Sequence, residues 1–419
     1  MTEENIKQAT EVLVNDIARF TKDIESLRTT LPKMMRVAED FRSESRSKYS
    51  EFLSTRGTVR EKTGSITTYL LKMEDMSTAS KLEREIEQSR IAFRLIPRNF
   101  LTSLVSQYDS FIGRLIRFMF TVKPEMLNGS DKLLSFAELT SFKDISSARE
   151  FIIEKEIETV IRKSHAEHFE WLKNKLKIPF NKDLACWPDF IELTERRNLF
   201  VHTDGKVSSQ YIGVCSEYNY KTEKELHVGD QLEVSRNYFE NAYKCIYEIG
   251  FKMSHVLWRK LCPELIKDSD ENIIKITLEL IKKCEYDLAI RLLGFFSQKQ
   301  MKHYDDSKRR ILLINYAQAF KWNNNNNHCL DVIKDDDWTA CSDRFKLAVA
   351  VLHDDYDTCY FIMKRLKHDD DFNRLNYKEW PLFQELIKQP KFGDVYSECY
   401  GESFIVEQTA TDQQATKTD

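Results

Sequence analysis

The chain has little glycine and proline, 11 and 8 residues in 419, well under the usual shares of about 7% and 5%. That scarcity argues against an architecture of many short strands joined by tight turns. Long hydrophobic runs are also missing. The greasiest stretch, Phe111 to Phe120, is short and carries Arg114 and Arg117, so no segment is expected to span a membrane. Neither sign of charge dominates. Lys and Arg number 63 against 67 Asp and Glu, for a net charge of -4, so any attraction to nucleic acid must come from a local basic patch. The nine cysteines are odd in number and scattered, with no C-x-x-C pair. This spacing points to reduced thiols in a cytoplasmic protein and away from a disulfide framework or a zinc site. The first ten residues are polar and acidic, unlike a signal peptide. The dinucleotide, phosphate-loop, nucleophile-elbow and zinc-protease signatures are all absent, and no cofactor or metal is expected. Charged residues at 31% and hydrophobic residues at 42% indicate a soluble, mostly helical chain of two or three domains, all-α in class.

One stretch stands out, Trp187 to Ile212. Pro188 suits a first helical position and Asp189 the positive end of the helix dipole. Phe190, Leu193, Phe200 and Val201 recur at helical spacing. Asp204-Gly205 supplies a stop. On a wheel of about 100° per residue, Arg197 falls in the middle of the apolar arc, while Asn198 and His202 share a neighbouring face with Glu195 close by. A guanidinium on an apolar face requires a partner, either a carboxylate in the core or a phosphate in a groove.

Arg197-Asn198-Leu199-Phe200-Val201-His202 resembles the Arg-x4-6-His signature of HEPN domains, with a polar residue directly after the arginine. The continuation through Thr203-Asp204-Gly205-Lys206 is similar to the way bacterial HEPN proteins leave this helix. The resemblance covers roughly residues 95–260. It implies a helical bundle that cleaves RNA without a metal, acting as a homodimer with both motifs at the interface, often as a toxin or in antiviral defence. His202 would be the general acid and base, Arg197 would stabilise the phosphate, and Asn198 would orient one or the other. Glu195 and Asp109 are candidate supporting groups. Asp109 also has a plainer reading, as an ion-pair partner for a basic residue. The alternative function is a non-catalytic helical scaffold that binds a protein or nucleotide partner.

The rest of the chain falls into parts around this helix. Residues 1–94 are expected to hold amphipathic helices. Ile6, Leu13, Phe20 and Leu27 recur every seven residues, with Ile17 and Ile24 between them. This seam either lies on the protein's own core or pairs between subunits. Pro32 is expected to interrupt the first helix and Pro97 to open a central one, with a turn-rich break at Gly57–Gly64. Residues 95–262 form the HEPN-like bundle. Within it, 143–176 reads as one long helix on which His165 and His168 are exposed. Residues 225–234 could form a hairpin across Gly229-Asp230, and Ser235 caps a last helix running to about Leu261. Pro263 marks a boundary. Residues 263–400 repeat an apolar helix followed by a second one beginning near Glu285, Asn327 and Asp355, similar to tetratricopeptide hairpins. This stack could bind a protein or ligand trigger, or merely support the bundle. Residues 401–419 read as a disordered tail.

Overall fold

A computed structural model describes residues 3–129, 133–178, 184–222, 225–369 and 372–405. Among them the only strands form one two-stranded hairpin and the fold is all-α. No helix is long and apolar enough to cross a membrane among these residues. All nine cysteines are free thiols. The chain divides into two compact units, Met1–Pro263 and Glu264–Asp419.

In the first unit, α1 (Glu3–Arg56) and α2 (Met76–Val122) form a long helical hairpin whose tip carries β1 (Thr58–Thr63) and β2 (Ile66–Leu70). The turn-rich break expected at Gly57–Gly64 is therefore strand and turn, with Gly64 taking φ +60° in the two-residue loop. Neither proline ends a helix. Pro32 lies inside α1 and Pro97 inside α2, so α2 crosses the boundary expected at residues 94 and 95. A proline in a helix interior costs about 3 kcal/mol. Against it, α1 buries Leu13, Ile17, Phe20, Ile24 and Leu31, each contributing about 1.5–3 kcal/mol. Phe20 stacks on Phe111 at 4.2 Å between ring centroids, Asp16 pairs with Arg114 at 2.9 Å, and Arg28 pairs with Glu240 at 2.8 Å. The heptad seam thus lies on the protein's own core.

The expected helix over 143–176 is two, α4 (Ile145–Ile161) and α5 (His165–Leu176), preceded by the short α3 (Phe136–Ser141). The break occurs because Ser164 forms a capping box with Glu167, whose carboxylate accepts from the Ser164 N–H at 2.8 Å, a pairing that starts a new helix. As a result His165 and His168, expected on the surface, are both buried. The motif helix is α6 (Trp187–His202), followed by α7 (Ser209–Glu217) and α8 (Arg236–Leu261). Ser235 caps α8 by accepting from the Tyr238 N–H at 3.1 Å. The hairpin considered over 225–234 does not form among the described residues. Residues 229–232 pair instead with the chain leaving α6, through Val207 N–H to Asp230 C=O and Leu232 N–H to Gly205 C=O, both 2.9 Å.

In the second unit, three hairpins follow one another: α9 (Ile266–Lys282) with α10 (Tyr286–Phe296), α11 (Asp306–Trp322) with α12 (Asn326–Ile333), and α13 (Asp343–Leu352) with α14 (Tyr356–Leu366). Each turns through a residue at positive φ, Cys284, Asn324 and Asp354 at 60°, 56° and 57°. In each, the next N–H donates back six positions, from Glu285 to Leu280, Asn325 to Phe320 and Asp355 to Ala350, at 2.9 Å. This is one helix-ending motif used three times. Lys321 on α11 reaches the end of α13, donating to the Val351 and Leu352 carbonyls at 2.9 Å. The short α15 (Asn376–Glu379) and α16 (Phe392–Tyr400) close the unit, with Phe404 packed edge-on to Phe392 and Tyr396. Residues 406–419, the greater part of the expected disordered tail, lie outside the described residues.

Candidate functional site

The first half of α6 is an anchor. Phe190, Ile191 and Leu193 are buried, and the Phe190 ring meets Tyr108 of α2 edge-on at 5.0 Å and His165 of α5 at 5.9 Å. This packing sets the second half of α6 beside the residue that follows Tyr108 on α2, Asp109.

Asp109 uses both carboxylate oxygens. Oδ2 accepts from Arg197 Nη2 at 3.1 Å and Oδ1 accepts from His165 Nε2 at 2.8 Å. A carboxylate only accepts, so the His165 proton at this contact sits on Nε2. The 3.5 Å approach of Arg197 Nη2 to the same nitrogen is then a contact between two donors and no bond. Arg197 keeps donors to spare. Its Nε is buried without a partner among the described residues, and its Nη1 makes no bond among them. Behind His165 lies His168, 5.1 Å away between ring centroids. Burial first, and the neighbouring His165 second, push its pKa down to about 4, so it stays neutral at physiological pH.

The next turn holds a second pair. Asn198 Nδ2 donates to Glu195 Oε1 at 3.3 Å. Burial raises the Glu195 carboxyl above its ordinary range, while His165, the Asn198 hydrogen bond and Arg197 pull the other way. His202, the last residue of α6, is exposed and makes no hydrogen bond or ion pair among the described residues. The structure therefore unites Arg197 with Asp109 and Asn198 with Glu195, and leaves His202 apart from both. Both readings of Asp109 apply at once: it pairs with a basic residue, and that residue is Arg197. His165 was missed. Its signal was legible in the Ser164-x-x-Glu167 capping pattern, which begins a helix at that histidine.

The neighbouring Arg196 serves a different purpose. Glu192, buried, accepts from Tyr211 at 2.6 Å, Tyr238 at 2.7 Å and Arg196 Nε at 2.6 Å. Arg196 also donates to the Glu233 carbonyl at 3.0 Å and lies 3.9 Å over the Tyr238 ring. That arginine is committed to structure on every side, whereas Arg197 is not. The helix exit is equally fixed. Buried Arg98 donates to the Asp204 carbonyl at 3.0 Å, to its carboxylate at 2.9 Å and to the Leu232 carbonyl at 3.2 Å, with its guanidinium 5.0 Å over Phe200. Gly205 takes φ +78°, and a Cβ there would come within 2.7 Å of the Phe200 ring.

Among the described residues, no group of three or more His, Cys, Asp or Glu is arranged to hold a metal ion. Comparison with protein-family models, curated proteins and solved structures finds no match to this chain.

Proposed function

We propose that the chain is a cytoplasmic endoribonuclease that cleaves RNA through the 2′-hydroxyl without a metal. The observation that carries this reading is the state of Arg197: one nitrogen is tethered to Asp109 and the rest of its fork is uncommitted. It sits on a helix whose open end also bears Asn198 and a free His202. A permanently cationic fork matches phosphate oxygens, and a histidine moves protons at neutral pH. In the reaction, a base takes the 2′-hydroxyl proton and the 2′-oxygen bonds to phosphorus. The bond from phosphorus to the 5′-oxygen then breaks, and an acid protonates that oxygen. The ends left are a 2′,3′-cyclic phosphate and a 5′-hydroxyl.

Arg197 and His202 are five residues apart, about 140° round α6 at 3.6 residues per turn. One copy does not converge them on one phosphate. Between them lies Val201, apolar yet 52% exposed, which suits a face met by a second copy of the same helix. Across a two-fold axis, Arg197 of one copy and His202 of the other can address the same phosphate, and the two histidines divide the roles of base and acid. Asn198 orients one of these groups, Glu195 with its raised pKa is a second proton carrier, and the C-terminal hairpins respond to a protein or ligand trigger. Toxin action or antiviral defence is the setting that the resemblance to HEPN domains implies.

The competing reading is a scaffold, favoured by the closed Asp109–Arg197 pair. Total RNA incubated with purified protein in excess chelator separates the two. Cleavage by wild type, with cyclic phosphate ends, and loss of it in both His202→Ala and Arg197→Ala support the nuclease. Equal cleavage by wild type and His202→Ala, or no cleavage together with loss of a bound partner on deleting residues 264–400, supports the scaffold.

A further inference from the structure

The distal half of α1 carries a surface that the nuclease reading does not use. Its seam against α2 is Leu31, Ala38 and Ser45, buried and spaced by sevens. Met34, Val37 and Phe41 are exposed by 40%, 60% and 41%, although they recur at i, i+3 and i+7 as an apolar helix face does. At about 100° per residue they lie roughly 40–100° round the helix from Ala38, all on one side. That is where a further helix would nest against a two-helix arm. Lys33 and Asp40 border the outer edge of this stripe. Both are exposed, and neither has an ion pair among the described residues, whereas Glu39 and Glu44 are already paired with Arg42 and Lys48.

We infer that this stripe is where a second copy of the chain docks, the two α1 helices crossing antiparallel about a two-fold axis beside Val37. The pattern is complementary to itself in that direction alone. Val37 meets Val37, Met34 meets the second copy's Phe41, and Lys33 meets the second copy's Asp40. A parallel arrangement would oppose Lys33 to Lys33 and Asp40 to Asp40, which is repulsive. The stripe alone is small beside a standard stable interface, so the contact is weak and concentration-dependent. It does not depend on any activity of α6.

Site-directed cross-linking of the full chain tests it, in a Cys284→Ser background to remove the exposed native thiol. Val37→Cys is expected to form an intermolecular disulfide at least tenfold faster than Val12→Cys, which is equally exposed on α1 but out of register. Met34→Cys and Phe41→Cys should cross-link with each other when mixed, and tenfold more slowly alone. Adding Lys33→Glu to Val37→Cys should slow the reaction, and adding Asp40→Lys as well should restore it. Overturning results are cross-linking of Val37→Cys no faster than Val12→Cys, self-linking of Met34→Cys faster than the mixed reaction, or no rescue by the charge swap.

Discussion

The shared carboxylate of Asp109 predicts an asymmetry in stability between the two ends of its ion pair. In Asp109→Ala, two donors lose their acceptor: Arg197 Nη2 and His165 Nε2. The Arg197 cation then stays in place with its side chain only 20% exposed. Breaking a fully buried pair by removing one partner costs about 3–5 kcal/mol. Partial exposure lowers this to about 2–3 kcal/mol for Asp109→Ala. In Arg197→Met, the aliphatic stem is kept and Asp109 retains His165, so the cost falls to about 1 kcal/mol. For a unit of this size, each kcal/mol moves Tm by about 2–4 °C. Asp109→Ala should therefore melt about 4–12 °C below wild type and Arg197→Met about 2–4 °C below it. The double variant should lie close to Asp109→Ala or above it, because it leaves no stranded cation. Calorimetry of the unfolding transition of the first unit measures all three. If Arg197→Met proves more destabilising than Asp109→Ala, Asp109 is not the hub described, and the spare donors of Arg197 lose their meaning.

Other expected outcomes follow from single residues. His202→Ala should lower RNA cleavage by about 10²–10⁴-fold while shifting the urea midpoint by no more than about 0.5 kcal/mol, since the side chain is exposed and unpaired; an equal loss of stability would make it structural. His168 has a folded pKa of about 4 against an ordinary 6.5. The unfolded chain therefore binds its proton first as pH falls, so stability present above pH 6.5 is lost progressively down to about pH 4. The size is about 2–3 kcal/mol, and His168→Leu should flatten that part of a denaturation-against-pH curve. Gly205→Ala should cost about 1–3 kcal/mol, for it combines positive φ with a clash on Phe200. Gly64→Ala, at φ +60° in open space, should cost less, and reversal of that order in urea melts would remove the steric argument.

Features written within a single turn or helix were readable from sequence: the limits of α6, the cap at Ser235, and the paired helices after Pro263. They rest on capping side chains and on periodicity over neighbouring residues. Pro32 and Pro97 misled because their local cost is outweighed by packing along the whole α1–α2 hairpin, which no window on one helix can register. His165 was hidden because its helix looks charged throughout, and only the capping box marks where the chain turns it inward. The tie between Asp109 and Arg197 spans 88 residues, and the pairing of Leu232 with Gly205 joins an irregular segment to a helix exit. Neither leaves a periodic trace. The β-hairpin was legible in principle, since Gly64-Ser65 sits between runs rich in Thr, Val, Ile and Tyr.

The position of α1 also sets an order of events during synthesis. Its Arg28 pairs with Glu240, 212 residues further along the chain, and its Phe20 ring fits against Gly250 of α8, where a Cβ would approach within 2.4 Å. At about 5–20 residues per second, α1 leaves the ribosome roughly 10–40 seconds before α8 exists. Throughout that interval its apolar face has only α2 to cover it. The hairpin thus acts as a nascent shield for its own first helix, and the unit closes only when its last helix arrives.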